Sequence, residues 1–366
     1  MLCWEVLALA ARRELPACRI AVVAGPAAML GSRVILGPFG ETLVASPCDA
    51  AADLFSVGRE ALVNGRPRLE AVGEGLRVFA EPLLPPPRVV ILGAGHVASA
   101  LVPAAQAAGF ACTVVDDRPE YASPARFPGA TVVCAAFAEA FQQVRPDAAT
   151  FIVLAGRSHE LDRLALREAL RQPAAYVGMV GSRRKAQQLQ AQLLEAGEAT
   201  PWSLEQLRAP IGLDLNAETP AEIAVSIVAE MIAIRRGGFG GPMREAVSKP
   251  GTAAGVPAGS VEGLRVWQAL ADSLDRAEPC ALATVVQVRG STPRSAGASM
   301  LVTADGRSVG TVGGGQREAE IRRLCLEALT TGKPFLYRTD YLDDTDMACG
   351  GSAEVFVEPV VAGEGG

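Results

Sequence analysis

Arg88-Val89-Val90-Ile91-Leu92-Gly93-Ala94-Gly95-His96-Val97-Ala98 decides how the middle of this chain folds. The apolar run reads as a buried strand, Gly93 and Gly95 as a tight turn, and the residues after them as the start of a helix. The next strand, Cys112–Val115, ends at Asp116-Asp117. This is the pattern G-x-G-x-x-A between strand and helix, with an acid about 20 residues further on. Glycines let the backbone turn sharply and approach a pyrophosphate, and the acid is placed to accept from a ribose hydroxyl. The expectation is a Rossmann-like, doubly wound parallel sheet. Gly93, Gly95, His96 and Asp116 are then the candidate contacts to NAD(P) or another nucleotide. The fold outlives its ligand, so the ligand itself stays open.

The long uncharged stretch from Val89 to Val115 is too broken by Gly93, Gly95, Pro103 and Gly109 to be a membrane span. Further strands are expected at Thr131–Cys134, Thr150–Leu154 and Ala175–Val180. Between the last two lies Arg157-Ser158-His159-Glu160-Leu161-Asp162, which reads as a helix cap lining the crevice or as a polar site. Gly181-Ser182-Arg183-Arg184-Lys185 opens a helix with three cations in its first turn, a local cost that an anion would relieve. Thr219-Pro220-Ala221-Glu222 is a capping box, and residues 237–260, rich in Gly, Pro and Ala, read as a flexible linker.

The last domain, residues 261–362, carries three small polar motifs. Thr311-Val312-Gly313-Gly314-Gly315-Gln316-Arg317-Glu318 reads as a strand end, a glycine turn and a helix start. Uncovered N–H groups at such a start, backed by the helix dipole, make an anion seat. Gly290-Ser291-Thr292-Pro293-Arg294 sets two hydroxyls and a guanidinium on a proline-fixed turn, and Cys349-Gly350-Gly351 sets a thiol beside two residues without side chains. Together they suggest one ligand pocket, lined by Ser291, Thr292, Arg294, Gly313, Gly314, Gly315, Glu318, Cys349, Gly350 and Gly351.

An internal repeat links the two ends of the chain. Ala61-Leu62-Val63-Asn64-Gly65-Arg66-Pro67 matches Ala328-Leu329-Thr330-Thr331-Gly332-Lys333-Pro334. Val78-Phe79-Ala80-Glu81-Pro82 matches Val355-Phe356-Val357-Glu358-Pro359. Residues 1–84 therefore read as a degenerate copy of residues 261–362, without the three polar motifs. The triple proline at Pro85-Pro86-Pro87 marks the boundary to a Rossmann-like domain over 85–236.

With 366 residues the chain exceeds one ordinary core. A net charge of −6 argues against nucleic acid as a main partner. Eight cysteines without a C-x-x-C pair read as reduced intracellular thiols. Met1-Leu2-Cys3-Trp4-Glu5 has no basic leader, and Arg12 and Arg13 come too late for a secretion signal. The expectation is a cytoplasmic globular protein with no membrane segment.

The motifs of residues 290–359, together with Gly93–Ala98, Tyr176–Lys185, Pro210-Ile211-Gly212-Leu213-Asp214 and Thr219–Ile227, resemble the XdhC/CoxI family over about three quarters of the chain. The members are accessory factors of xanthine dehydrogenase and related molybdenum hydroxylases. Two departures stand out: the family usually places the motif-rich domain before the Rossmann domain, and Asn216 stands where a glycine is expected. The resemblance implies a chaperone for the molybdenum cofactor (molybdopterin). Such a protein holds the cofactor while a cysteine desulfurase supplies its terminal sulfur, then passes it to the apo-hydroxylase. Arg294 and Gly313–Gly315 would meet phosphate or pterin edges, and Cys349 would touch molybdenum or hold sulfur. No catalytic residue is assigned, and a homodimer stays open. The rival reading is an NAD(P)-dependent oxidoreductase built on the middle domain, for which only His96 and His159 are available as histidines.

Overall fold

A computed structural model describes residues 3–45, 51–73, 75–238, 240–242, 259–290, 292–340 and 351–360. Two compact units result: Met1–Pro85 together with Gly259–Gly366, and Pro86–Ala258.

The first unit begins with α1 (Cys3–Arg12), β1 (Ala17–Ala24), β2 (Arg33–Leu36), β3 (Thr42–Ala45), α2 (Ala51–Asn64), β4 (Arg68–Val72) and β5 (Leu76–Leu83). Its five strands form an antiparallel sheet in the order β3-β2-β1-β5-β4.

The second unit runs β6 (Arg88–Leu92), α3 (His96–Ala107), β7 (Ala111–Asp116), β8 (Thr131–Cys134), α4 (Phe137–Val144), β9 (Thr150–Leu154), α5 (His159–Ala169), β10 (Tyr176–Met179), α6 (Arg183–Glu195), α7 (Pro201–Glu205), β11 (Leu207–Arg208) and α8 (Pro220–Arg236). All pairings in this sheet are parallel, in the order β8-β7-β6-β9-β10-β11. That is the doubly wound Rossmann order, with the chain reversing direction across the sheet between β6 and β9. Both faces are covered, which is why the strands read as continuous apolar runs. Val89, Ile91 and Val153 pack on Leu101 of α3 and Met231 of α8. Val90, Leu92 and Leu154 pack on Phe141 of α4, Leu166 of α5 and Leu189 of α6. The capping box at Thr219 and Glu222 is closed on both sides, and α8 ends at Gly237 in the left-handed region. Asn216 has φ of 53°, a left-handed conformation that Asn tolerates better than most residues and that explains the glycine expected there.

Back in the first unit, the chain forms α9 (Val261–Asp275), β12 (Cys280–Arg289), β13 (Ser299–Thr303), β14 (Ser308–Gly310), α10 (Gly315–Thr331), β15 (Phe335–Asp340) and β16 (Ser352–Val360). The strand order is β14-β13-β12-β16-β15, the same path as in the N-terminal sheet. Of the linker expected at 237–260, residues 239 and 243–258 lie outside the described residues.

The two copies are bound to each other by matching contacts. Arg19 faces Glu81 across β1 and β5, and Leu282 faces Glu358 across β12 and β16. Arg19 and Leu282 are therefore counterparts, as are Glu81 and Glu358. Registers on the next strands make Arg33 the counterpart of Ser299. Arg33 donates to Glu358 at 2.8 and 3.0 Å, and Ser299 donates to Glu81 at 3.4 Å. Arg77 and Glu354, each preceding the matched valine of its repeat, pair with one another at 2.6 Å. A Cβ on Gly31 would lie 2.8 Å from Pro334, and one on Gly297 would lie 2.5 Å from Pro67. Each contact has its mirror, so the copies pack about a local pseudo-twofold axis. Phe79 and Phe356 share one apolar cluster on it, and Trp4 and Trp267 share another.

Candidate functional site

Among the described residues, two of the glycine turns singled out in the sequence carry polar groups on open backbone. The first lies at the crevice at the carboxyl ends of β6 and β9. Gly93 has φ of 110°, and a Cβ there would lie 2.3 Å from the Ala155 carbonyl oxygen, so the turn excludes any side chain. At Gly95 a Cβ would meet nothing within 4 Å. Gly95 is the N-cap of α3 and no side chain caps the helix. Above it lies a cavity of about 210 Å³, lined by Gly93, Gly95, His96, Asp116, Arg118 and Arg157 among others.

Asp116 sits at the end of β7, where a ribose-binding acid is expected, but it is fully buried. One carboxylate oxygen accepts from the Ala94 N–H at 2.8 Å and from Arg118 Nη2 at 3.1 Å. The other accepts from the Arg118 N–H at 3.1 Å and from Arg118 Nε at 2.9 Å. Burial by itself would raise its pKa, yet these bonds outweigh burial and hold it at about 2. Asp117 pairs with Arg157 at 2.6 and 3.0 Å, and that bond lowers its pKa. Sequence reasoning placed Arg157 in a group lining the crevice but missed Arg118. The signal for Arg118 is position, just past the acid that ends β7.

The polar group expected around residue 157 divides. Ser158 caps α5 by accepting from the Leu161 N–H at 3.3 Å, and His159 meets Gln192 at 3.0 Å on the surface. Asp162 is buried and pairs with Lys185 of α6. Of the three cations that oppose the α6 dipole, Lys185 is thus met by a carboxylate from within. Gly212 is anchored to α8, its N–H donating to Glu230 at 2.8 Å, and Leu213 accepts from Ser226 at 2.6 Å.

The second place is the glycine turn of the C-terminal copy. Gly314 and Gly315 have φ of 76° and 63°, and a Cβ on either would meet nothing within 4 Å. Gly314 is the N-cap of α10, again with no side-chain cap. Glu318 reaches back to Thr311 at 2.7 Å, and the Thr311 hydroxyl accepts from the Gly313 N–H at 3.3 Å. Glu318 therefore props the turn rather than facing out of it. Thr292 donates to the Arg294 carbonyl at 2.9 Å, and Arg294 is paired with Glu262 of α9. No hydrogen bond among the described residues joins Arg294 to the turn. Gly351 is buried at the entry to β16. Ser291, Cys349 and Gly350 lie outside the described residues, and with them the expected metal contact.

Among the described residues no cluster of three or more His, Cys, Asp or Glu could hold a metal ion. Burial pushes the Cys112 and Cys325 thiols up to about 12 and the Cys280 thiol to about 11. These are core thiols without thiolate chemistry. Among the described residues no helix is long and apolar enough to cross a membrane.

Residues 89–231 match the family described as the XdhC Rossmann domain, and residues 273–340 match the XdhC and CoxI family. The chain belongs to the XdhC/CoxI family. It is 38% identical over 161 residues to the uncharacterized protein YqeB of Escherichia coli (strain K12), covering 43% of this chain and 29% of that protein. It is 33% identical over 163 residues to a probable xanthine dehydrogenase subunit of Bacillus subtilis (strain 168), covering 43% and 46%. The match thus spans less than half the length of either curated relative. A crystal structure described as a xanthine dehydrogenase from Bacillus halodurans aligns over 62% of this chain and 64% of that one, with a TM-score of 0.49 and 20% identity.

Proposed function

We propose that this XdhC/CoxI protein is an accessory factor of xanthine dehydrogenase or a related molybdenum hydroxylase. It takes the molybdenum cofactor as cargo on its C-terminal copy, holds it while a cysteine desulfurase supplies sulfur, and passes it to the apo-enzyme. The observation that carries this reading is the glycine turn at Gly313–Gly315. It is propped by Thr311 and Glu318, open at both left-handed glycines, and set at the uncapped start of a 17-residue helix. Such a turn fits a phosphate, because N–H donors and the helix dipole act together. Arg294 would bind a second anionic or pterin edge on leaving Glu262, an exchange that costs little for a half-exposed pair. Cys349 would meet the metal end, since molybdenum favours sulfur donors. The buried thiols of Cys112, Cys280 and Cys325 are poor candidates for that role.

The test is to add isolated molybdenum cofactor to the purified protein and measure bound molybdenum and activation of the apo-hydroxylase. Retention should fall in Cys349→Ala with the melting temperature unchanged, and in Gly314→Val by more than its lowered melting temperature explains, since φ of 76° strains a β-branched residue. Arg294→Ala should lower retention at low salt and do so less at high salt, where the lost charge counts for less. Full retention and activation by both Gly314→Val and Cys349→Ala would end this reading.

A further inference from the structure

The Rossmann crevice shows an inverted charge pattern at the place where a ribose is read. In a crevice selective for an unphosphorylated ribose, the acid ending the second strand accepts from the ribose hydroxyls. Here both oxygens of Asp116 are already engaged by Ala94 and Arg118, and the residue is fully buried. To accept from a ribose it would have to break a charge-assisted bond.

What faces the cavity instead is donor edges. Arg118 lies 3.5 Å over the Tyr121 ring and is bonded to Asp116 through Nε and Nη2, which fixes its plane. Its Nη1 makes no hydrogen bond among the described residues. Arg157 also lines the cavity. Its bond to Asp117 lies at the water-exposed mouth, with side chains 39% and 36% exposed. A pair so screened contributes little and exchanges readily for a better anion. Two guanidinium groups with spare donors suit a phosphate monoester, because planar forks match phosphate oxygens. The open side of Gly95 leaves room for the pyrophosphate beside the start of α3.

We infer that the crevice takes a dinucleotide phosphorylated on its adenosine ribose, of the NADP type, in preference to the NAD type. This rests on the crevice being a nucleotide site and is independent of the accessory role.

Calorimetry on the full chain with NADP⁺, NAD⁺ and inorganic phosphate tests it. NADP⁺ should bind about tenfold tighter than NAD⁺ or better, the scale of a charged hydrogen bond, and the gap should narrow with added salt. Arg118→Ala should collapse the ratio. Arg157→Ala, at the exposed mouth, should narrow it while leaving the four hydrogen bonds to Asp116 in place and removing only its 3.7 Å ion pair with that acid, and Asp117→Asn, which loosens Arg157, should widen it. Gly95→Val should abolish binding of both dinucleotides at an unchanged melting temperature. Equal or tighter binding of NAD⁺, still blocked by Gly95→Val, would overturn the preference while keeping the nucleotide site. Absence of binding by either dinucleotide at millimolar concentration, or full competition by inorganic phosphate alone, would overturn both.

Discussion

The two copies in the first unit follow one strand path and have divided its tasks. The C-terminal copy keeps an open glycine turn at the start of α10, and its glutamate at the shared axis, Glu358, has no cation of its own: Leu282 and Ser299 stand where the N-terminal copy has Arg19 and Arg33. The N-terminal copy lacks the polar motifs but supplies both arginines. Arg19 is 1% exposed and bonded to Glu81 and Glu358, and its guanidinium lies 6.0 and 5.5 Å from the rings of Trp4 and Trp267. Burial works against its charge, yet the two carboxylates raise its pKa. Burial pushes the pKa of Glu81 up. A copy without the motifs therefore still has a task. Two buried carboxylates facing each other would repel, and the N-terminal copy neutralises both so that the C-terminal copy can keep its sheet packed.

Arg19→Leu puts this division to its hardest trial, because it gives the N-terminal copy the residue of its counterpart. Two buried carboxylates would lose their shared cation, at a cost of about 3–5 kcal/mol in the first unit. Adding Leu282→Arg to Arg19→Leu moves the cation across the pseudo-twofold and should recover a large part of that loss. Urea denaturation of the single and double variants measures the coupling. A cost under about 1 kcal/mol for Arg19→Leu would contradict the roles assigned to the copies.

Arg33→Ala removes a two-bond contact to buried Glu358 and should cost about 2–3 kcal/mol by the same assay. A control lies in the other unit. Asp116 falls from an ordinary 3.8 to about 2 in the fold, so its contribution is present above about pH 4 and lost as the pH drops toward 2. Asp116→Asn should therefore cost about 2 kcal/mol at neutral pH and almost nothing near pH 2. A stability profile against pH reads this. Thr311→Val removes the prop between Glu318 and the Gly313 N–H, for about 1 kcal/mol. It should also loosen the turn enough to speed amide exchange there. Ser299→Ala, the counterpart of Arg33→Ala, should cost under about 1 kcal/mol, since a 3.4 Å hydroxyl contact is weak. Equal effects at the two positions would contradict the asymmetry.

Much of this architecture was legible from local pattern. Two-sided burial writes continuous apolar runs, so β6, β7 and β9 could be read directly, and the glycines after β6 marked the turn that only a missing side chain allows at Gly93. The repeat was legible because helix ends and final strands need the same residues in both copies. The open turn at Gly313–Gly315 followed from chain order too, since glycine then helix is a local signal. Partners were another matter, fixed by packing across the chain. The string of residues reads Asp116 as a ribose acceptor, but only packing shows its oxygens filled by Ala94 and Arg118. It reads Arg183, Arg184 and Lys185 as cations awaiting an anion, whereas Asp162 already meets Lys185. Arg19 and Glu358 lie at opposite ends of the chain, and no periodicity links them. Their pairing exists because burial makes an unpaired charge intolerable, and which opposite charge answers is settled by the pseudo-twofold packing of two sheets.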